Sequence, residues 1–151
     1  MIFCDMDGVL VDFEEGFFDV HGKYPSELSH SEMWQIVLDN ENHWLDLPPM
    51  KDAQELINFL AQYEYQILTG LPIQGFDKAD KEKKLWIEKH ISKELPVICC
   101  LSRDKHIYCQ KGDILIDDRK GMISDWEEAG GIGILHETSE KTISELKKLL
   151  K

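Results

Sequence analysis

The sequence predicts an α/β fold, a parallel sheet with helices on both faces and a small helical insertion near the amino end. Three observations carry that prediction. Short apolar runs alternate along the chain with longer segments whose apolar residues recur at helical spacing. The runs are continuous rather than alternating apolar and polar, as expected of strands covered on both sides. At 151 residues the chain suits one domain with room for a small appended subdomain.

The first apolar run, Met1-Ile2-Phe3-Cys4, reads as a central strand that ends at the acidic residues Asp5 and Asp7. Residues 13–22 carry Phe13, Phe17, Phe18 and Val20 and read as a short helix, which Lys23-Tyr24-Pro25 breaks. Ser29 with Glu32 three residues on is a capping-box pattern, and the apolar residues from Met33 to Leu38 follow it as a helix. Residues 13–50 therefore read as an all-helical insertion in a core formed by 1–12 and 51–151. From 52 to 62, Leu56, Ile57, Phe59 and Leu60 repeat at helical spacing, and 65–69 reads as a strand closed by Gly70. A charged helix at 77–91, strands at 96–101 and 113–117, a helix at 120–129, a strand at 132–135 and a helix at 139–150 complete the alternation.

Composition narrows the partners. Seventeen Lys+Arg against twenty-nine Asp+Glu give a formal net charge of −12, which disfavours binding to long nucleic acid. A small phosphate ester stays compatible, because one divalent metal and one or two lysines invert the local potential. Cys4, Cys99, Cys100 and Cys109 show no zinc-type spacing, and three of them fall inside apolar runs where a free thiol behaves as a small hydrophobe. A reducing, cytoplasmic location is the expectation. No apolar stretch approaches the length of a membrane span, so no membrane partner is expected. The oligomeric state is not legible.

Ligands of an open parallel sheet bind beyond the carboxyl ends of its strands. That rule selects Asp5-Met6-Asp7-Gly8, Thr69-Gly70, Ser102-Arg103-Asp104-Lys105 and Asp117-Asp118-Arg119. Carboxylates gathered so closely repel one another unless a cation joins them. Mg²⁺, an oxygen-seeking ion held by one or two carboxylates, suits Asp5 and Asp117 as direct ligands, with Asp118 acting through water or on a neighbour. A calcium loop beginning at Asp5 is excluded, because its twelfth position is Gly16 rather than Glu. Asp117-Asp118 alone also fits a helix cap. The six histidines lack metal-site spacing and read as surface or capping groups. Trp34, Trp44 and Phe17 read mainly as the insertion's own core, although aromatics there can stack on a base.

The segments Asp5-Met6-Asp7-Gly8-Val9-Leu10, Ile67-Leu68-Thr69-Gly70 and Ile114-Leu115-Ile116-Asp117-Asp118-Arg119 resemble three signature motifs of the haloacid dehalogenase-like phosphohydrolases. The run from Asp5 to Phe17, Glu82-Lys83 ahead of Trp86-Ile87-Glu88-Lys89, and Ser102-Arg103-Asp104-Lys105 narrow the resemblance to the 5′(3′)-deoxyribonucleotidases. The resemblance implies a Rossmann-like core, a small helical cap at 13–50, and Mg²⁺-dependent hydrolysis of a nucleoside monophosphate through an aspartyl-phosphate.

On these positions the resemblance makes Asp5 the nucleophile and Asp7 the general acid and base, with the metal held by Asp5, the Asp7 backbone carbonyl and Asp117. Thr69, Gly70 and Lys83 become phosphate ligands. Phe13, Arg103 and Lys105 become substrate contacts. The residues alone leave the phosphate lysine open among Lys78, Lys81, Lys83, Lys84 and Lys105. Broad phosphatase activity on other small esters and a non-catalytic binding domain are the alternative functions.

Overall fold

The structure is a computed structural model describing residues 1–151. Five parallel strands are ordered β3-β2-β1-β4-β5, with β1 (Ile2–Cys4) at the centre between β2 (Tyr65–Leu71) and β4 (Ile114–Asp117). β3 (Val97–Leu101) and β5 (Ile132–Leu135) form the edges. The helices are α1 (Phe13–His21), α2 (His30–Asp39), α3 (Ala53–Leu60), α4 (Phe76–His90), α5 (Lys120–Glu128) and α6 (Ser139–Leu149). A 3₁₀ helix, Ser102–Tyr108, follows β3 directly.

Alternation along each strand divides the core into two layers. Ile2, Cys4, Ile67, Ile114 and Ile116 share one cluster with Leu56 of α3, Trp86 of α4 and Leu146 of α6. Phe3, Leu68, Cys100 and Leu115 face the other way and pack around Trp126 of α5. Trp126 is fully buried, and its indole N–H donates to the Asp113 carbonyl at 2.9 Å. Helices thus cover both faces, as the sequence predicts.

Local chemistry sets the helix ends. The Asp12 carboxylate caps α1 through the Glu15 N–H, and Gly22 closes that helix in the left-handed region with φ of 72°. The predicted capping box forms, with Ser29 and Glu32 each accepting the other's backbone N–H at the start of α2. Segment 13–50 holds helices and turns but no sheet strand, and Pro49 forms only an isolated bridge with Val11.

One boundary differs from expectation in a way that matters. The strand runs past Thr69, with Gly70 and Leu71 inside β2 rather than beyond it, because pairing with β3 continues through Thr69–Cys99 and Gly70–Cys100 to Leu71–Leu101. The register also pairs Cys4 with Ile116, and the Asp5 N–H donates to the Ile116 carbonyl at 2.9 Å. Asp5 therefore emerges beside Asp117.

Leu115 is fully buried between the sheet and α5, so Leu115→Ala is expected to cost about 2–5 kcal/mol. Urea denaturation of the two proteins measures it, and a loss below 1 kcal/mol would contradict the packing described.

Candidate active site

Asp5 leaves β1 one residue after Cys4 and so turns toward the Phe3 face, the face on which the 3₁₀ helix Ser102–Tyr108 lies. From that helix Lys105 reaches inward. Its ammonium donates to Asp5 Oδ1 at 2.8 Å and to Asp117 Oδ2 at 2.7 Å, and all three side chains are almost wholly buried. The other Asp117 oxygen accepts the Arg119 N–H at 3.0 Å. Asp117 thus supports the turn into α5 while its other oxygen meets Lys105, although the cap position itself falls to Arg119.

Burial pushes the Asp5 carboxyl up to about 7 against the pull of Lys105, and repulsion from Asp117 and Asp7 acts in the same direction. Burial alone would lower Lys105, but its two carboxylate partners outweigh that and leave it raised and charged. Asp118 has an exposed outer edge, yet its carboxylate lies against Gly8. Poor hydration there and repulsion from Asp117 push it up to about 6. A Cβ at Gly8 would overlap that carboxylate, and its φ of 82° also suits only glycine.

Asp5, Asp117 and Asp118 each offer a carboxylate oxygen, all within 4.8 Å of one another. A set of three hard oxygen donors that a single lysine only partly neutralises fits Mg²⁺. The cluster contains the expected pair Asp5 and Asp117 and adds Asp118, the acid expected to act through water or on a neighbour, while Asp7 is expected to contribute only its backbone carbonyl. Asp7 Oδ2 instead accepts from Lys83 Nζ at 2.8 Å, while Asp7 Oδ1 is buried without a partner.

The two lysines are used differently. Lys83 also donates to Thr69 Oγ1 at 3.1 Å and to the Gly70 carbonyl at 2.8 Å, which commits all three of its N–H groups. Lys105 has committed two. The spare N–H therefore belongs to Lys105, whereas Lys83, the phosphate ligand that the resemblance implies, donates to Asp7, Thr69 and Gly70. Thr69, accepting from Lys83, keeps its own O–H proton free to donate.

Asp5, Asp7, Gly8, Phe13, Gly70, Lys105 and Asp118 line one cleft of about 600 Å³, together with Trp34, Trp44 and His136. Phe13 stacks on Trp44 with centroids 5.6 Å apart, and the Trp44 ring lies 4.6 Å from Lys83 Nζ. Phe17 and Trp44 are core residues as expected, whereas Trp34 is half-buried at the cleft. Arg103 does not line this cleft. Its side of the 3₁₀ helix faces a neighbouring one.

Three contributors lie outside the predicted set. Glu82 is buried beside Lys83 and accepts the backbone N–H groups of Trp44 at 3.0 Å and Leu45 at 3.3 Å, pinning the insertion to α4. Its signal was periodicity, because Ala79, Glu82, Lys83, Trp86 and Ile87 fall at the spacing of one helix face. His43 and His136 are buried rather than superficial. Burial, with smaller contributions from His21 and Lys78, lowers the His43 imidazole to about 4.

A sequence model of the family described as "5′ nucleotidase, deoxy (pyrimidine), cytosolic type C protein" matches residues 1–146. A provisionally named 5′(3′)-deoxyribonucleotidase of Bordetella bronchiseptica is 30% identical over 141 residues, covering 79% of this chain and 74% of its own. The human cytosolic-type 5′(3′)-deoxyribonucleotidase is 28% identical over 143 residues, covering 78% of this chain and 70% of its own. Among solved structures, a haloacid dehalogenase-superfamily hydrolase from Ehrlichia chaffeensis superposes with a TM-score of 0.59 at 13% identity. It covers 99% of this chain and 97% of its own, which shows the fold.

Two outcomes follow from these contacts. Glu82→Leu strands the buried Trp44 N–H at about 1–3 kcal/mol and the half-buried Leu45 N–H at less, whereas Glu82→Gln keeps the acceptor. Urea denaturation is expected to find the Leu variant clearly the less stable. The His43 ring stays neutral in the fold down to about 4, while the unfolded chain takes up that proton below about 6.5. Its contribution is complete above that upper value and lost as pH falls toward the lower, by at most about 3.5 kcal/mol at 1.4 kcal/mol per unit. His43→Gln is expected to flatten this part of the stability–pH curve.

Proposed function

The chain belongs to the family of cytosolic type C 5′ nucleotidases, deoxy (pyrimidine), and we propose that it hydrolyses the phosphate monoester of a nucleoside monophosphate. The observation that carries the proposal is the buried Lys105 ammonium joining Asp5 and Asp117 at the ends of two adjacent strands, with Asp118 alongside. A neutralised carboxylate pair with a spare N–H suits a dianionic phosphoryl group better than a neutral ligand.

Asp5 is the proposed nucleophile. Lys105 fixes its Oδ1 and leaves Oδ2 without a protein partner. Attack by that oxygen forms an Asp5–phosphorus bond and breaks the bond from phosphorus to the ester oxygen, giving an aspartyl-phosphate. Asp7, held at Oδ2 by Lys83 with Oδ1 free, gives its proton to the departing alkoxide. It then takes a proton from a water that attacks the phosphoryl group, which releases inorganic phosphate and restores Asp5.

The spare Lys105 N–H, the Thr69 hydroxyl and the Gly70 N–H are the proposed donors to the phosphoryl oxygens. Asp5, Asp117 and Asp118 would hold Mg²⁺, with the Asp7 carbonyl as a further ligand. Bound there, the ion supplies charge neutralisation on the phosphoryl oxygens. Segment 13–50 is proposed to act as a cap over a core of 1–12 and 51–151. It sets Phe13 and Trp34 against the cleft as surfaces for the leaving nucleoside. Unpaired cysteines support a cytoplasmic, reducing location, and no helix is long and apolar enough to cross a membrane.

Phosphate release from a panel of 5′- and 3′-(deoxy)nucleoside monophosphates and sugar phosphates, with Mg²⁺ or EDTA, tests the proposal. Release is expected to be selective for nucleotides, to stop with EDTA, and to fall about 10³-fold or more in Asp5→Asn. Mg²⁺ is also expected to raise the melting temperature of the wild type and to raise it less in Asp118→Asn. Equal release from every ester would replace the nucleotidase reading with a general phosphatase.

A further inference from the structure

Arg103, which the nucleotidase resemblance assigns to the substrate, opens onto a second cleft of about 690 Å³. Leu71, Pro72, Ile73 and Leu101 give this cleft an apolar floor at the carboxyl ends of β2 and β3, and the first turn of α2 forms its far wall. Trp34 and Ser102 line both clefts, so the two adjoin at these residues. The catalytic cleft is lined by five carboxylates, those of Asp5, Asp7, Asp12, Glu14 and Asp118. The second cleft is lined by none, in a protein of net charge −12.

Its charged group is Arg103, a side chain engaged in no ion pair. Asp104, the neighbouring acid in sequence, lines neither cleft. His30 adds a donor. Its Nε2 accepts from the Trp34 indole at 2.8 Å, so the neutral ring carries its proton on Nδ1. Lys105 and Arg103 sit on the same 3₁₀ helix two residues apart, about 4 Å along its axis at roughly 2 Å per residue. One short helix therefore offers a cation to each cleft, Arg103 to the second and Lys105 to the catalytic one.

We propose that the second cleft is a subsite for a second phosphate on the substrate, making nucleoside bisphosphates preferred over nucleoside monophosphates. The inference rests on the nucleotidase reading and deepens it. With the scissile phosphate on Asp5 and Lys105, the nucleoside crosses the junction at Trp34 and presents its other phosphate to the Arg103 guanidinium, which suits phosphate geometry. Elsewhere on this acidic surface an added phosphate weakens association, so a preference for the bisphosphate requires a local site.

The test compares kcat/KM for first phosphate release from a nucleoside 3′,5′-bisphosphate with that from the 5′- and 3′-monophosphates of the same base. The bisphosphate is expected to be about tenfold the better substrate, mostly through KM. Arg103→Gln is expected to bring the ratio close to one. Ser31→Glu, which places a carboxylate in the second cleft, is expected to bring it below one. A wild-type ratio at or below one, or a ratio that neither variant changes, overturns the subsite while hydrolysis of the monophosphates keeps the nucleotidase reading. Absence of phosphate release from all three nucleotides overturns both.

Discussion

Two buried carboxylates on neighbouring strands cannot both stay ionised unless a cation stands between them, and the site is organised around that constraint. The register of β1 against β4 brings Asp5 and Asp117 together. Lys105 is the cation the chain itself supplies, and its own burial is tolerable only because both carboxylates accept from it. This explains why the 3₁₀ helix must follow β3 without an intervening loop. Its seven residues turn Lys105 back over the sheet's end. Asp118 extends the same logic outward. It adds a third negative charge that one lysine cannot balance, which is the electrostatic basis for a divalent ion at this point.

A second buried lysine ties the insertion to the core. Lys83 holds Asp7, Thr69 and Gly70 from one side and lies under the Trp44 ring on the other. Its neighbour Glu82 anchors the backbone at Trp44 and Leu45. Two adjacent residues of α4 therefore fix both the general acid–base candidate and the loop that carries an aromatic wall of the cleft. Movement of segment 13–50 against the core would disturb the cradle as well as the lid.

Most of the sheet was legible because a parallel strand buried on both faces leaves an apolar run that few other structures produce. The end of β2 was less so. Gly70 looks like a strand terminator by type, and only the long-range pairing with β3 through Cys100 and Leu101 carries the strand on to Leu71. Asp5, Asp7 and Asp117 stood out because acids directly after apolar runs are costly without a purpose. The division of labour between Lys83 and Lys105 was not legible, since it depends on counting N–H groups against partners that fold in from distant strands. Glu82 was hidden by composition. In a helix as charged as 76–90 an acid reads as solvated, and its place on the Ala79–Trp86 face emerges only when helical periodicity is weighed ahead of polarity. The reading of the histidines as surface or capping groups failed at His43 and His136 for a related reason: burial is a tertiary property that single positions do not announce.

The wider electrostatics then make sense of an acidic protein acting on an acidic ester. Surface cations would be screened by salt and outvoted by the net charge of −12. Lysines buried at the end of the sheet act through a medium of lower dielectric, where each is worth more and competing counterions are excluded. Their attraction is also selective, because Lys105 keeps an N–H for a ligand only within hydrogen-bonding reach of Asp5. The rest of the acidic surface repels polyanions and leaves small esters, which fit wholly within the clefts, as the anions this site can accept.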